Sequence, residues 1–307
     1  MTAVNLDAVQ AALATVKDPE IHRPITDLGM VDNVDIDPNG HVTVAILLTI
    51  AGCPLQSSIR DSVISAVSRV EGVTAVDVTL GVMTDEQRRA MRQKLQGPGA
   101  QKDIPFNKPG NHTTVYAVTS GKGGVGKSST TVNLAATLAK RGFSVGILDA
   151  DIYGHSIPPM LGSTMPPTKV DDMMMPPEAH GVKCISIAQF TAGNAPVVWR
   201  GPMLHRALQQ FLTDVYWGDL DFLLLDLPPG TGDIALSIPS LLPNSQLLIV
   251  TTPQTAAAEV AERSGMMAAQ TKQKVVGVIE NMSWMELPDG STVEMFGNGG
   301  GMTVAMD

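Results

Sequence analysis

Thr119-Ser-Gly-Lys-Gly-Gly-Val-Gly-Lys-Ser-Ser129 is the stretch on which the fold turns. It fits the phosphate-loop pattern G-x-x-x-x-G-K-[ST] through Gly121, Gly126, Lys127 and Ser128. An apolar run at 115–118 precedes it and a run of helical character at 129–140 follows. A merely flexible glycine-rich loop needs neither flank; a phosphate loop needs both. Glycine lets the backbone turn tightly, so N–H groups along Gly121, Lys122, Gly123, Gly124, Val125, Gly126, Lys127, Ser128 and Ser129 can face phosphate oxygens. The positive end of the following helix adds to that field. Lys127 is placed to reach the outer phosphates and the Ser128 hydroxyl to enter a Mg²⁺ shell. Lys122, a second lysine inside the loop, reads either as extra cationic help for the phosphates or as a solvated loop side chain.

Outward from the loop, residues 113–307 alternate between strand and helix patterns. Strands are expected at 115–119, 143–148, 182–187, 222–227, 247–251 and 275–279, with helices near 129–140, 202–214 and 255–270. That alternation predicts an α/β domain with a mostly parallel sheet and helices on both faces. The segment 160–181, rich in Pro and Met (Met173, Met174, Met175), reads as a surface loop partly packed by methionine.

Acidic residues gather at the expected strand ends. Leu148-Asp-Ala-Asp-Ile-Tyr-Gly-His-Ser156 closes one strand, and carboxylates there face the ligand crevice of an open α/β sheet. On extended chain Asp149 and Asp151 project the same way, so one suits the Mg²⁺ shell and the other suits orienting or deprotonating the attacking water. Phe222-Leu-Leu-Leu-Asp226 has the apolar-run-then-Asp pattern of a Walker B strand, which makes Asp226 a second metal candidate. The turn after it, Pro-Pro-Gly-Thr-Gly-Asp233, suits a switch that senses the γ-phosphate. Thr251-Thr-Pro-Gln254 and Glu280-Asn-Met-Ser283 follow two further strands at the same edge, and the Asn281 amide suits the adenine edge.

Residues 1–95 read as a small α+β domain of three strands against helices. A helix at 5–17 is followed by a hairpin at 31–50 with an Asn-Gly turn, a second helix from 55, a third strand at 73–80 and a last helix capped by Thr84 and Gln87. Cys53 precedes Pro54 at the start of the second helix, where the helix dipole favours a thiolate able to take metal or cluster; a small buried hydrophobe is the other reading. Residues 96–112, with three prolines, three glycines and no periodic pattern, read as a linker.

At 307 residues the length suits two domains, and with only 4% aromatic residues the core must be filled by aliphatic side chains and methionine. The net charge is −9, and acidic residues outnumber basic ones on both sides of residue 110, so the footprint of a nucleic-acid binder is missing. The N-terminus lacks a basic region followed by an apolar core, and no apolar run reaches membrane-spanning length. The two cysteines, Cys53 and Cys184, fall in different expected domains and form no disulfide framework. A cytoplasmic protein without membrane or nucleic-acid partners is the expectation.

The loop with its extra lysine resembles the deviant Walker A motif of the MinD/ParA/nitrogenase-iron-protein superfamily. The resemblance implies a nucleotide-sandwich homodimer in which Lys122 reaches into the partner's site, and it makes Asp151 the residue that activates water. Asp18-Pro-Glu, Asp27-Leu-Gly, Leu48-Thr-Ile-Ala-Gly-Cys-Pro and Met83-Thr-Asp resemble the SufT/PaaD-like domain of iron–sulfur assembly, in which the matching cysteine is the reactive one. The loop, Asp149-Ala-Asp-Ile-Tyr-Gly, Val198-Trp-Arg-Gly-Pro-Met203, Asp226-Leu-Pro-Pro-Gly-Thr-Gly-Asp and Glu280-Asn-Met-Ser together look like the Mrp/ApbC family. That resemblance spans nearly the whole chain. It implies a Mg²⁺-dependent ATPase that carries an iron–sulfur cluster and, with assembly factors, delivers it to apo-proteins. Family members carry C-x-x-C shortly after Glu-Asn-Met-Ser; here 284–296 holds no cysteine. The resemblance also predicts a further helix and strand beyond Asp307, whose lack would expose apolar sheet edge and favour aggregation. Two other readings stand beside the carrier: an ATP-gated scaffold without a cluster, and a MinD/ParA-like positioning ATPase.

Overall fold

The computed structural model describes residues 4–50, 55–96, 103–151, 154–163, 165–190 and 201–306. Contacts divide the chain into two units, 1–101 with 168–175, and 102–167 with 176–307.

In the first unit α1 (Leu6–Thr15) starts at Asn5, whose side-chain oxygen accepts the Asp7 N–H at 2.8 Å. β1 (Val31–Ile36) and β2 (His41–Leu48) form the expected antiparallel hairpin. Asp37 Oδ1 accepts the N–H groups of Asn39 and His41 in its turn. Gly40 sits there at φ +80°, and a Cβ on it would lie 2.3 Å from the Gly72 carbonyl oxygen, so no other residue fits. Strict alternation along β2 buries Val42, Val44, Ile46 and Leu48 on one face. α2 (Gln56–Val67) buries Ile59, Val63 and Val67 at helical spacing. β3 (Ala75–Val82) pairs parallel to β2, and α3 (Asp85–Gln96) begins with the expected capping box: the Gln87 N–H donates to Thr84 Oγ1 and the Thr84 N–H to Gln87 Oε1.

The second unit runs from β4 (Thr114–Thr119) through the glycine loop into α4 (Lys127–Lys140), then β5 (Val145–Asp149) and the short α5 (Ile157–Leu161). After the excursion of β6 (Thr168–Val170) and β7 (Met173–Met175) come β8 (Glu178–Ala179), β9 (Val182–Ser186) and α6 (Gly201–Thr213). β10 (Phe222–Asp226), α7 (Asp233–Leu241), β11 (Gln246–Thr251), α8 (Thr255–Gln270) and β12 (Lys274–Glu280) follow. A small hairpin of β13 (Met285–Glu286) with β14 (Thr292–Val293) and then α9 (Gly300–Met306) come last. The seven-stranded sheet has the order β12-β11-β4-β10-β5-β9-β8, parallel from β12 to β9, with β8 antiparallel at one edge. This is the expected mostly parallel α/β sheet preceded by a small α+β unit. Ala135, Ile147, Leu161, Val182 and Leu224 form its aliphatic centre, with Cys184 among them.

Besides the short α5, the β13–β14 hairpin and α9, which the sequence reading did not anticipate, three segments differ from it. The methionine-rich stretch is no surface loop: β6 and β7 pair antiparallel, bury Met173 and Met175, and belong with the first unit. There Arg92 donates to Asp171 at 3.0 Å, and Thr168 Oγ1 donates to the Glu20 carboxylate at 3.1 Å. Alternate methionines cover apolar surface while the strand backbones satisfy each other. Residues 104–107, read as linker, pack into the second unit. Ile104 and Phe106 are buried, the Phe106 ring lies 6.4 Å from that of Trp217, and Asn107 Nδ2 donates to the Leu241 carbonyl at 2.8 Å. Residues 233–241, where no helix was expected, form α7 around Pro239.

Candidate functional site

Strand register brings the chemistry together before any side chain is considered. Asp226, the last residue of β10, pairs with Val118 of β4 on one side and Asp149 of β5 on the other. All three lie at the C-terminal edge of parallel strands, where open α/β sheets take ligands. The glycine loop crosses this edge and walls a cavity of about 240 Å³, whose opposite side carries Asp151, Ser156 and Pro229. Gly124 and Gly126 sit at φ +81° and +83°, and a Cβ on Gly124 would meet nothing within 4 Å. That open, side-chain-free wall at the start of a 14-residue helix is the shape a polyphosphate requires.

Behind the loop lies a closed cluster. Lys127 Nζ is 2.8 Å from Asp226 Oδ2, with both groups almost fully buried. The Ser128 hydroxyl donates to the same oxygen at 2.6 Å, and Thr131 Oγ1 donates to Asp226 Oδ1 at 2.9 Å. Asp226 thus accepts from three side chains of one helix. Ser128 Oγ and Asp226 Oδ2 are oxygen donors of the kind that Mg²⁺ takes, so these residues would hold that ion, and it would supply positive charge to offset that of a polyphosphate. Lys127 must leave Asp226 to reach a phosphate, and a cation beside Asp226 would compensate the carboxylate as it does.

Asp149 and Asp151 separate in depth. Asp149 is 1% exposed and accepts from Ser186 Oγ at 3.0 Å and from the Asp151 and Ile157 N–H groups. Burial first, then the neighbouring Asp226 carboxylate, push its pKa up to about 6 from 3.8, against the pull of those hydrogen bonds. Asp151 faces the cavity, with Oδ1 accepting the Gly154 N–H at 2.9 Å. The raised value gives a testable sign. A carboxylate whose folded pKa lies above its unfolded one weakens the fold above pH 6, and that cost disappears as pH falls from 6 toward 3.8. The gap corresponds to at most about 3 kcal/mol. Asp149→Asn should therefore raise the unfolding temperature of the nucleotide-free protein at pH 8, with the gain shrinking toward pH 4.5. Tryptophan fluorescence reads it, because Trp199, Trp217 and Trp284 all lie beyond residue 113.

The geometry is that of a phosphate-loop NTPase, and comparison with known proteins makes the relationship specific. Residues 111–307 match the family model described as NUBPL iron-transfer P-loop NTPase, and residues 6–96 match that of an iron–sulfur cluster assembly protein. An iron–sulfur cluster carrier protein of Mycobacterium tuberculosis is 63% identical over 298 residues, covering 97% of this chain and 78% of that one. The chain belongs to the iron–sulfur cluster carrier family of P-loop NTPases. The Bacillus subtilis carrier is 42% identical over 97% of this chain and 84% of its own. Among solved structures, a nucleotide-binding protein of Archaeoglobus fulgidus in complex with ADP aligns with a TM-score of 0.55 and 37% identity, covering 73% of this chain and 82% of that one.

Set against that carrier family, the remaining site residues fall as follows. Lys122 lines the phosphate cavity, but its Nζ donates to Gln254 Oε1 at 2.9 Å. Asn281 donates an amide N–H to the Val125 carbonyl at 2.9 Å, which ties the residue after β12 to the loop, and it is not among the residues lining the cavity. Cys184 is buried, and burial together with Asp149 pushes its thiol well above the usual range, so it is core, as expected. Cys53 lies outside the described residues, as do Ile152 and Tyr153 and the Val198-Trp-Arg200 part of the family motif. Among the described residues no group of three or more His, Cys, Asp or Glu is arranged to hold a metal. No described helix is long and apolar enough to cross a membrane.

Sequence reasoning missed two supporting side chains, and it placed Gln254 at this edge without its partner. Thr131 sits one helical turn after Lys127 and on the same face, a spacing that could have flagged it. Ser186 ends the strand beside Asp149, so only strand order reveals it. Gln254 is 132 residues from Lys122, and nothing local joins them.

Proposed function

We propose that this chain is an ATP-hydrolysing iron–sulfur cluster carrier that works as a homodimer and passes its cluster to apo-proteins. The observation that carries the ATPase half is the convergence of Lys127, Ser128 and Asp226 beside a cavity that Asp151 and Lys122 also line. In this reading Lys127 swings from Asp226 to the outer phosphates, and Ser128 and Asp226 would hold Mg²⁺, with Asp149 next to Asp226 on the neighbouring strand. Asp151 orients the water and takes its proton as the water oxygen bonds to the γ-phosphorus and the bond to the ADP oxygen breaks. Lys122 from a second copy neutralises the charge that develops on the phosphates, as an arginine finger does. Asn281 presents its remaining amide groups to the adenine edge.

The cargo half is supported by the family match of both units. Burial pushes the Cys184 thiol up, which disfavours a thiolate there, and the likeness of the Cys53 segment to the iron–sulfur assembly domain makes Cys53 the candidate thiol for the cluster. Anaerobic reconstitution with iron and sulfide, scored by both elements and by visible absorption per subunit, tests this. Wild type and Cys184→Ser should load alike, and Cys53→Ser should not. A wild type that binds no cluster would leave an ATP-gated scaffold. Loss of the chromophore with Cys184→Ser would overturn the assignment of the thiol.

A further inference from the structure

Lys122 lines the phosphate cavity, and its contact with Gln254 has no part in the hydrolysis proposed above. Lys122 has only donors, so the amide oxygen of Gln254 must be the group facing it, and the contact measures 2.9 Å. Both ends are held. Gln254 is the cap residue of α8, and its carbonyl accepts the N–H groups of Ala257 and Ala258. On the loop side, a Cβ on Gly121 would lie 2.5 Å from the Ala261 nitrogen of the same helix, so the loop backbone rests directly against α8. The lysine is therefore turned toward its own α8, with its charge held by a neutral acceptor. A neutral amide holds an ammonium group less firmly than a carboxylate would, which makes the contact reversible.

We infer that Gln254 is a positioning residue that parks Lys122 on its own subunit and withholds it from catalysis until a second copy closes over the nucleotide. This rests on the reading of Lys122 as the charge-neutralising group. Release exchanges one acceptor, the Gln254 oxygen, for phosphate oxygens across the dimer, and no covalent bond changes. The parked form keeps basal hydrolysis low while the dimer is open.

Gln254→Ala and Gln254→Glu test this, because they should act in opposite directions. With the full chain and Mg-ATP at low protein concentration, Gln254→Ala should raise kcat roughly two- to tenfold, the range of one hydrogen bond, with KM unchanged within about twofold. Gln254→Glu, which would replace the amide by a carboxylate, should lower kcat by a similar factor, again at constant KM. A merely structural role for Gln254 would lower kcat in both. Two variants moving the same way, or neither moving, overturn the inference. Lys122→Ala separates this failure from the other: if that variant hydrolyses ATP at the wild-type rate, the reading of Lys122 itself is wrong. If it is inactive while both Gln254 variants move together, only the parking role is wrong.

Discussion

Lys122→Ala should lower kcat for ATP by about 10³-fold while leaving nucleotide affinity within a few-fold, the behaviour of a group that acts in the transition state alone. The structure supports that separation. In the proposed reading the ground-state phosphate contacts fall to the loop backbone, Lys127 and Ser128, while the Lys122 ammonium donates to Gln254. Mixing variants tests whether the lysine acts across a dimer. Asp151→Asn retains Lys122 but lacks the carboxylate proposed to activate water, and Lys122→Ala retains Asp151. Each alone should be inactive. A mixed dimer has one complete site, so an equimolar mixture should recover about a quarter of the wild-type rate if subunits pair at random. No recovery, with both variants dimeric in nucleotide, would place Lys122 in its own subunit's site.

Lys127→Met should be the most damaging single change, because it acts on nucleotide binding and on the fold together. Removing the ammonium leaves the Asp226 carboxylate, 0% exposed, with hydroxyl donors from Ser128 and Thr131 and no cation. Breaking one partner of a buried pair costs about 3–5 kcal/mol, whereas replacing both partners is often close to neutral. Urea unfolding followed by tryptophan fluorescence should therefore show a large loss for Lys127→Met. Adding Asp226→Asn should restore most of it without restoring ATP binding. If the single variant is as stable as wild type, the 2.8 Å ion pair does not hold the two groups in solution.

What the sequence made legible is chemistry confined to one turn or one strand end. The phosphate loop, Asp149, Asp151 and Asp226 each sit where a strand stops, and the register of β4, β10 and β5 then places them side by side. The Asp37-Pro-Asn-Gly turn and the Thr84 capping box are likewise local and were readable. The methionine hairpin was not, because its strands are three residues long and the partners that hold it, Arg92 and Glu20, lie 79 and 148 positions earlier. Pro239 masks α7, since in a nine-residue helix the tertiary burial of Ile234, Ala235, Ile238 and Leu241 outweighs one missing backbone hydrogen bond. The depth difference between Asp149 and Asp151 was hidden as well. Alternation puts both on one side of an extended strand, but the chain leaves β5 at Asp149, and only Asp151 reaches the cavity.

Carriage itself is tested most directly by transfer. The chain, loaded anaerobically with iron and sulfide and separated from free iron, is mixed with an apo-ferredoxin and an iron chelator in the presence of Mg-ATP. The expected result is holo-ferredoxin formed faster than from equal free iron and sulfide and insensitive to the chelator, with Cys53→Ser giving none. Iron appearing first on the chelator, or transfer no faster than from free iron and sulfide, would contradict carriage and leave an ATPase whose cycle drives something else.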